Sequence, residues 1–325
     1  MKIFRSLTSS LLALLVLGFG TARTHAVGAG NNLAELRAAL CNQAREYAIL
    51  SSLHFVAITR GRITVPKSGL PMRAANGWGT IVFSKHVSLK FKSRFEFWGD
   101  GTRYRISWKQ IGPGDASSGG VEAWDGRQFE VFDPGSGTLW IWKSRPKSYV
   151  GIAPPINPIL IPLEFAQPPG TDKATPWLHW LTFNRLRHHI GSVLSRCMSI
   201  SPLPMQADGD YCGRITGASG GMPTRFEVIV SVHKPRLVVA IRTRILHASW
   251  PAGTSRITYK SFLVGHRLVW LPHSVRSMNG AISERFKDVK VNERIPPSRF
   301  TINYKMARLI VMKPNGKVIH VGMGR

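Results

Sequence analysis

Acidic residues are scarce in this chain. Against 44 Lys and Arg there are only 17 Asp and Glu in 325 residues, a formal net charge of +27. Paired carboxylates for acid–base or metal chemistry are hard to assemble from so few acids, and an anionic partner is expected. Cysteine is rarer still: Cys41, Cys197 and Cys212 cannot build a disulfide scaffold. There is no internal apolar run long enough for a membrane-spanning helix. Nor is there a run of about five or six like charges, which excludes a disordered basic arm. What remains is a chain 43% hydrophobic, with material for one large core or two modest ones.

The first residues read as an export signal. Lys2 and Arg5 precede the apolar run Leu11–Phe19, and small residues follow at cleavage positions. Thr24 and Ala26 fit cleavage before Val27, while Gly20 and Ala22 fit cleavage before Arg23. An uncleaved membrane anchor is the alternative. Removing residues 1–26 takes away three cations and no acid, so +27 becomes +24. A periplasmic or secreted location follows, where anionic head groups are met more often than nucleic acid. Residues 171–325 hold 24 basic and 7 acidic side chains, so the charge is spread over a folded surface and is heavier in the second half.

Asn32 followed by Glu35 is a capping-box-like pattern, and Leu33, Leu36, Leu40, Ala44 and Tyr47 recur at helical spacing. The spacing predicts a helix ending near Ser51 or Ser52. The period then falls to 2. Val87, Leu89, Phe91, Phe95 and Phe97 alternate with Ser88, Lys90, Lys92, Arg94 and Glu96, which predicts a long antiparallel strand with one buried face. After a turn at Gly99-Asp100-Gly101, the return strand alternates Tyr104, Ile106 and Trp108 with Arg103, Arg105 and Lys109. Further hairpins are expected at Asp125-Gly126, at 134–137, at 233–236, at Asn279-Gly280 and at Asn315-Gly316. The total is about ten or eleven strands and two helices.

Residues 151–176 interrupt this meander with seven prolines among strongly apolar residues such as Leu160. Trp177 to Arg196 then reads as an amphipathic helix carrying Trp177 and Trp180. The expected fold is mainly β with α, a long-stranded, strongly curved antiparallel sheet (an incomplete barrel) with helices over the concave face. Residues 27–325 form one domain with a Pro-rich and helical lid insertion at about 151–213.

Catalytic constellations are missing. His179, His188 and His189 have no carboxylate at i+3 or i+4, as a zinc site with a general base would want. Asp100, Asp125, Asp208 and Asp210 sit at turn or loop positions that favour Asp for backbone reasons. Gly217–Gly221 lacks the Lys and following helix of a phosphate loop, and no G-x-S-x-G occurs. Neither an enzyme nor a cofactor or metal is expected. Cys197 and Cys212 flank a Pro-rich loop that a disulfide would close.

Two faces of the sheet remain as candidate sites. One is apolar, with Phe91, Phe95, Phe97, Tyr104 and Trp108 lining either a solid core or a lipid-sized cavity under Leu160, Trp177 and Trp180. The other is basic, with Lys90, Lys92, Arg94, Arg103 and Arg105 facing solvent or an anionic partner.

Two stretches resemble the superfamily of periplasmic lipoprotein-sorting and lipid-carrier proteins. One is Phe95-Glu96-Phe97 through Tyr104-Arg105-Ile106, followed by Trp124-Asp125-Gly126 and Phe129–Asp133. The other is Leu271-Pro272 with Asp288–Asn292 and Ile295–Phe300. The resemblance covers about residues 31–305. It implies a half-barrel that shelters the acyl chains of a lipid or lipoprotein without catalysis, with an envelope protein as a further partner and no nucleic acid. The alternative is a basic module with a solid core that binds envelope polyanions such as lipopolysaccharide or anionic lipid.

Overall fold

In the computed structural model of the chain, helix α1 spans Leu33–Ala48. The structure describes residues 33–65, 70–74, 77–81, 87–111, 119–144, 198, 200–219, 222–233, 235–245, 253–277, 281–312 and 320–322. The expected helix at Trp177 to Arg196 lies outside them.

The first half contributes β1 (Leu53–Val65), β2 (Leu70–Ala74), β3 (Gly77–Ile81), β4 (Val87–Gly99), β5 (Tyr104–Gln110), β6 (Gly119–Trp124), β7 (Phe129–Asp133) and β8 (Thr138–Trp142). The second half contributes β9 (Ser201–Leu203), β10 (Tyr211–Ser219), β11 (Met222–Val230), β12 (Val238–Ile245), β13 (Gly253–Val264), β14 (Arg267–Ser277), β15 (Ile282–Val291), β16 (Leu309–Met312) and β17 (His320–Gly322). These seventeen strands exceed the ten or eleven expected, because β1 and several short strands lack a clean period of 2.

Fifteen strands form one sheet in the order β17-β16-β8-β7-β6-β5-β4-β1-β15-β14-β13-β12-β11-β10-β9, while β2 and β3 pair separately. Every described pairing in the large sheet is antiparallel except β16 on β8. Most strands neighbour their predecessors in sequence. The exceptions are β1, which lies between β4 and β15 and so joins the two meanders, and β16, which lies beside β8. The sheet is strongly curved and unclosed, as expected, and the mainly β class holds.

The helix crosses the concave side. Its Leu36 end rests on β9 and β10, and its Tyr47 end rests on β14, with β11–β13 passing beneath. The Tyr47 hydroxyl donates to the Trp270 carbonyl at 3.1 Å, and Glu35 pairs with Arg236. A glycine on β10 permits the close approach: a Cβ at Gly213 would lie 2.5 Å from Ile200 Cδ1 and collide with Leu36. The helix buries Leu36, Ala39, Leu40, Cys41, Ala44 and Tyr47 in a core shared with Phe55, Phe95, Phe97 and Phe286. Burial of this apolar surface is the main stabilising contribution, about 25 cal/mol per Å².

Turn chemistry follows the sequence. The Asp100 carboxylate accepts the Arg103 N–H at 2.9 Å, and Asp125 accepts the N–H groups of Arg127 and Gln128 at 2.7 and 2.6 Å. Cys41 and Cys212 are buried free thiols, so Cys212 does not close the loop toward Cys197. Burial, and then the nearby Glu227 carboxylate, push the Cys212 thiol up to about 11, which keeps it protonated and unreactive.

Candidate functional site

Strand alternation separates the two candidate faces at once. On the concave side, Phe95 lies opposite Ala57 of β1 and Trp108 of β5, and Phe97 lies opposite Phe55 and Ile106. Phe95 and Phe97 are fully buried and Tyr104 nearly so. Phe91 and Trp108 are partly exposed at the same side. Leu160, Trp177 and Trp180 lie outside the described residues.

The next row continues the aromatic surface. Tyr104 is opposite Trp124, Trp124 opposite Phe129, and Phe129 opposite Trp142, whose ring centroid is 5.6 Å from that of Phe129. Trp140 joins through Val131. Four indoles therefore share the concave side of β5–β8: Trp108, Trp124, Trp140 and Trp142 are partly exposed and pack against the main core. The Tyr104 hydroxyl donates to the fully buried Glu122 carboxylate at 2.7 Å, which satisfies a polar group inside this apolar wall. Sequence periodicity misses Trp140 and Trp142. Their i, i+2 spacing was the available signal, obscured by Leu139 and Ile141 on the other side of β8.

The convex side has two halves. Over β6–β8 it is covered by the segment after β15, where Ile302 and Ala307 pack on Ala123, Phe132, Leu139 and Ile141. Arg103 and Arg105 lie under this cover. Arg103 donates its Nε to Asp100 at 2.8 Å and sits 4.6 Å over the Phe300 ring, while Arg105 donates to the Thr301 carbonyl at 3.2 Å. Lys90, Lys92 and Arg94 lie on the other half, with Lys90 and Arg94 exposed. The structure thus separates the two ends of the basic face, which alternation alone treats as one surface.

Between the halves sits a compact polar cluster. Glu96 accepts Trp98 Nε1 at 3.1 Å, lies 3.3 Å from His54 Nε2, and pairs with Arg94 at 3.2 Å. His54 stacks on Trp98 with centroids 3.6 Å apart, and the Arg299 guanidinium lies 4.9 Å from the Trp98 ring centroid. The His54 hydrogen bond holds the Glu96 carboxyl below the usual range against opposing burial, with Arg94 adding to the effect. A depressed folded pKa contributes stability that is full above the unfolded value and fades as pH falls through the folded one. Glu96→Gln should therefore lower stability at neutral pH, with its difference from wild type shrinking below about pH 4. Denaturant unfolding across pH 2.5–7 (roughly the carboxylate titration range) measures this.

Among the described residues, no group of three His, Cys, Asp or Glu is placed to hold a metal ion, and no helix is long and apolar enough to cross a membrane. No family model matches the chain, and no curated protein matches it. Solved structures similar to it in fold include the following two. One is described as an outer membrane lipoprotein-sorting protein domain from Vibrio parahaemolyticus, with TM-score 0.41 and 9% identity over 83% of this chain and 97% of that one. The other is a DUF1329 family protein from Desulfovibrio piger, with TM-score 0.39 and 10% identity over 84% of this chain and 98% of that one.

Proposed function

We propose that this chain is an exported, non-catalytic carrier that holds the acyl chains of a lipid or lipoprotein against the concave side of β5–β8. The observation that carries this reading is the row of partly exposed indoles at Trp108, Trp124, Trp140 and Trp142, continuous with the buried Phe95 and Phe97. An acyl chain laid on such a wall gains about 0.8 kcal/mol per methylene removed from water. Indole rings offer broad, stiff surface without needing a shaped polar pocket. The leader-like start, Lys2 and Arg5 before Leu11–Phe19, supports a periplasmic or secreted location.

Delipidated protein titrated with brominated fatty acid should show quenching of tryptophan fluorescence. Trp108→Ala with Trp124→Ala should weaken uptake about tenfold, the effect of losing about 1.4 kcal/mol. Native mass spectrometry of gently purified protein should show a bound lipid. A protein that is consistently ligand-free and does not quench would overturn the reading.

A further inference from the structure

The bare half of the convex face carries an arrangement that the fold itself does not need. Arg256 on β13 lies directly opposite Arg276 on β14, Arg276 opposite Ser283 on β15, Ser283 opposite Arg60 on β1, and Arg60 opposite Lys92 on β4. This one register row crosses five strands, a width of about 19 Å at the usual strand spacing. The adjacent positions repeat the sign: Arg62 faces Lys90, and Arg94 faces Lys109. Like charges directly opposed on an antiparallel pair are destabilising. Four such pairs stand side by side here, and a carboxylate at any of these positions would turn repulsion into attraction.

Several cations elsewhere on the same side have partners. Arg103 is held by Asp100, Arg105 by the Thr301 carbonyl, and Arg214 and Arg242 by Glu227. In the row itself, Arg60, Arg256 and Arg276 are exposed, and among the described residues none of them or Lys92 makes an ion pair. Among the described residues, the apolar cover by the C-terminal segment lies on Ala123, Phe132, Leu139 and Ile141 and not on this row.

We propose that this half of the convex face docks on an anionic phospholipid surface. The shape favours laterally mobile head groups over nucleic acid. The cations project from one face of a continuous sheet, and none of the outward side chains in the row is an aromatic platform of the kind single-strand binders stack bases on. Each Lys or Arg near an anionic leaflet strengthens binding about fivefold at low salt. The proposal concerns the opposite side of the sheet from the indoles and does not rest on the carrier reading.

The experiment is co-sedimentation of the full chain with vesicles of phosphatidylcholine, with or without phosphatidylglycerol, over a salt series. Wild type should bind only the anionic vesicles and release as salt shortens the screening length. The quadruple variant Arg60→Gln, Lys92→Gln, Arg256→Gln, Arg276→Gln should bind on the order of several hundredfold more weakly. It should also melt higher than wild type, because like-charge repulsion is relieved. The arginine-to-lysine variant at positions 60, 256 and 276 keeps the charge and should keep binding. A control that removes four exposed cations elsewhere, at Arg127, Lys143, Arg294 and Lys305, should bind nearly as wild type. Equal loss in the control, equal binding to both vesicle types, or a preference for a single-stranded oligonucleotide over anionic vesicles would each overturn the proposal. Vesicle binding retained by the indole variants separates this result from the carrier test.

Discussion

Phe55→Ala should lower the unfolding free energy by about 4 kcal/mol, near the upper end for loss of a buried aromatic ring. Phe55 is fully buried on β1, with ring centroids 5.4 Å from Phe97, 6.5 Å from Phe95 and 5.7 Å from Phe286. The cost is high because the site resists collapse. Its strand is hydrogen-bonded to β4 on one side and β15 on the other, so the backbone cannot move inward to refill the space. Those two neighbours come from opposite ends of the chain, and the three surrounding rings therefore join the two meanders. Phe55→Leu, which leaves most of the volume filled, should cost about 1–2 kcal/mol. Leu263→Ala is a useful contrast, since Leu263 is 69% exposed and should change stability by less than about 0.5 kcal/mol. Urea unfolding with an unchanged m-value measures all three. A Phe55→Ala cost below about 1.5 kcal/mol would mean that this aromatic junction does not hold the halves together.

The local parts of this architecture are readable from sequence because they depend on local periodicity. Phe91, Phe95 and Phe97 alternate with cations on β4, and the Asp100 and Asp125 turns take the side-chain bonds that turn chemistry requires. The helix face at Leu36, Leu40, Ala44 and Tyr47 is buried as its spacing predicts, although the helix ends at Ala48, earlier than expected. What periodicity misses is long-range. Strand β1 reads poorly because Val56 and Ile58 are apolar on the side where polar residues would be expected, and Val56 is indeed buried. The division of the basic face is equally invisible. Arg105 and Lys92 share a strand-face pattern, but Arg105 is covered by Thr301, nearly two hundred residues away in sequence. No local window contains that contact.

The second large effect concerns the segment that covers this face. Glu130→Ala should cost about 3 kcal/mol and selectively free residues 295–306 from the sheet. Glu130 is only 2% exposed, and its two oxygens are fully used. Oε2 accepts the Ile302 N–H at 2.6 Å, while Oε1 accepts the Tyr304 hydroxyl at 2.9 Å and Gln128 Nε2 at 2.8 Å. Hydrogen bonds to a charged acceptor contribute about 1.5–3 kcal/mol each, and alanine leaves the buried Ile302 N–H without its acceptor. The cover has other attachments, which limits the loss to one region. The N–H groups of Arg308 and Leu309 bond the Gly137 carbonyl, and β16 pairs with β8. Glu130→Gln keeps one acceptor oxygen and should fall between wild type and alanine. Hydrogen exchange should show the Ile302 amide losing protection well before the amides of β1 and β4, and trypsin should gain access at Arg299 and Lys305. If protection instead falls equally across the whole sheet, Glu130 is supporting the core and is not a clasp for the C-terminal segment.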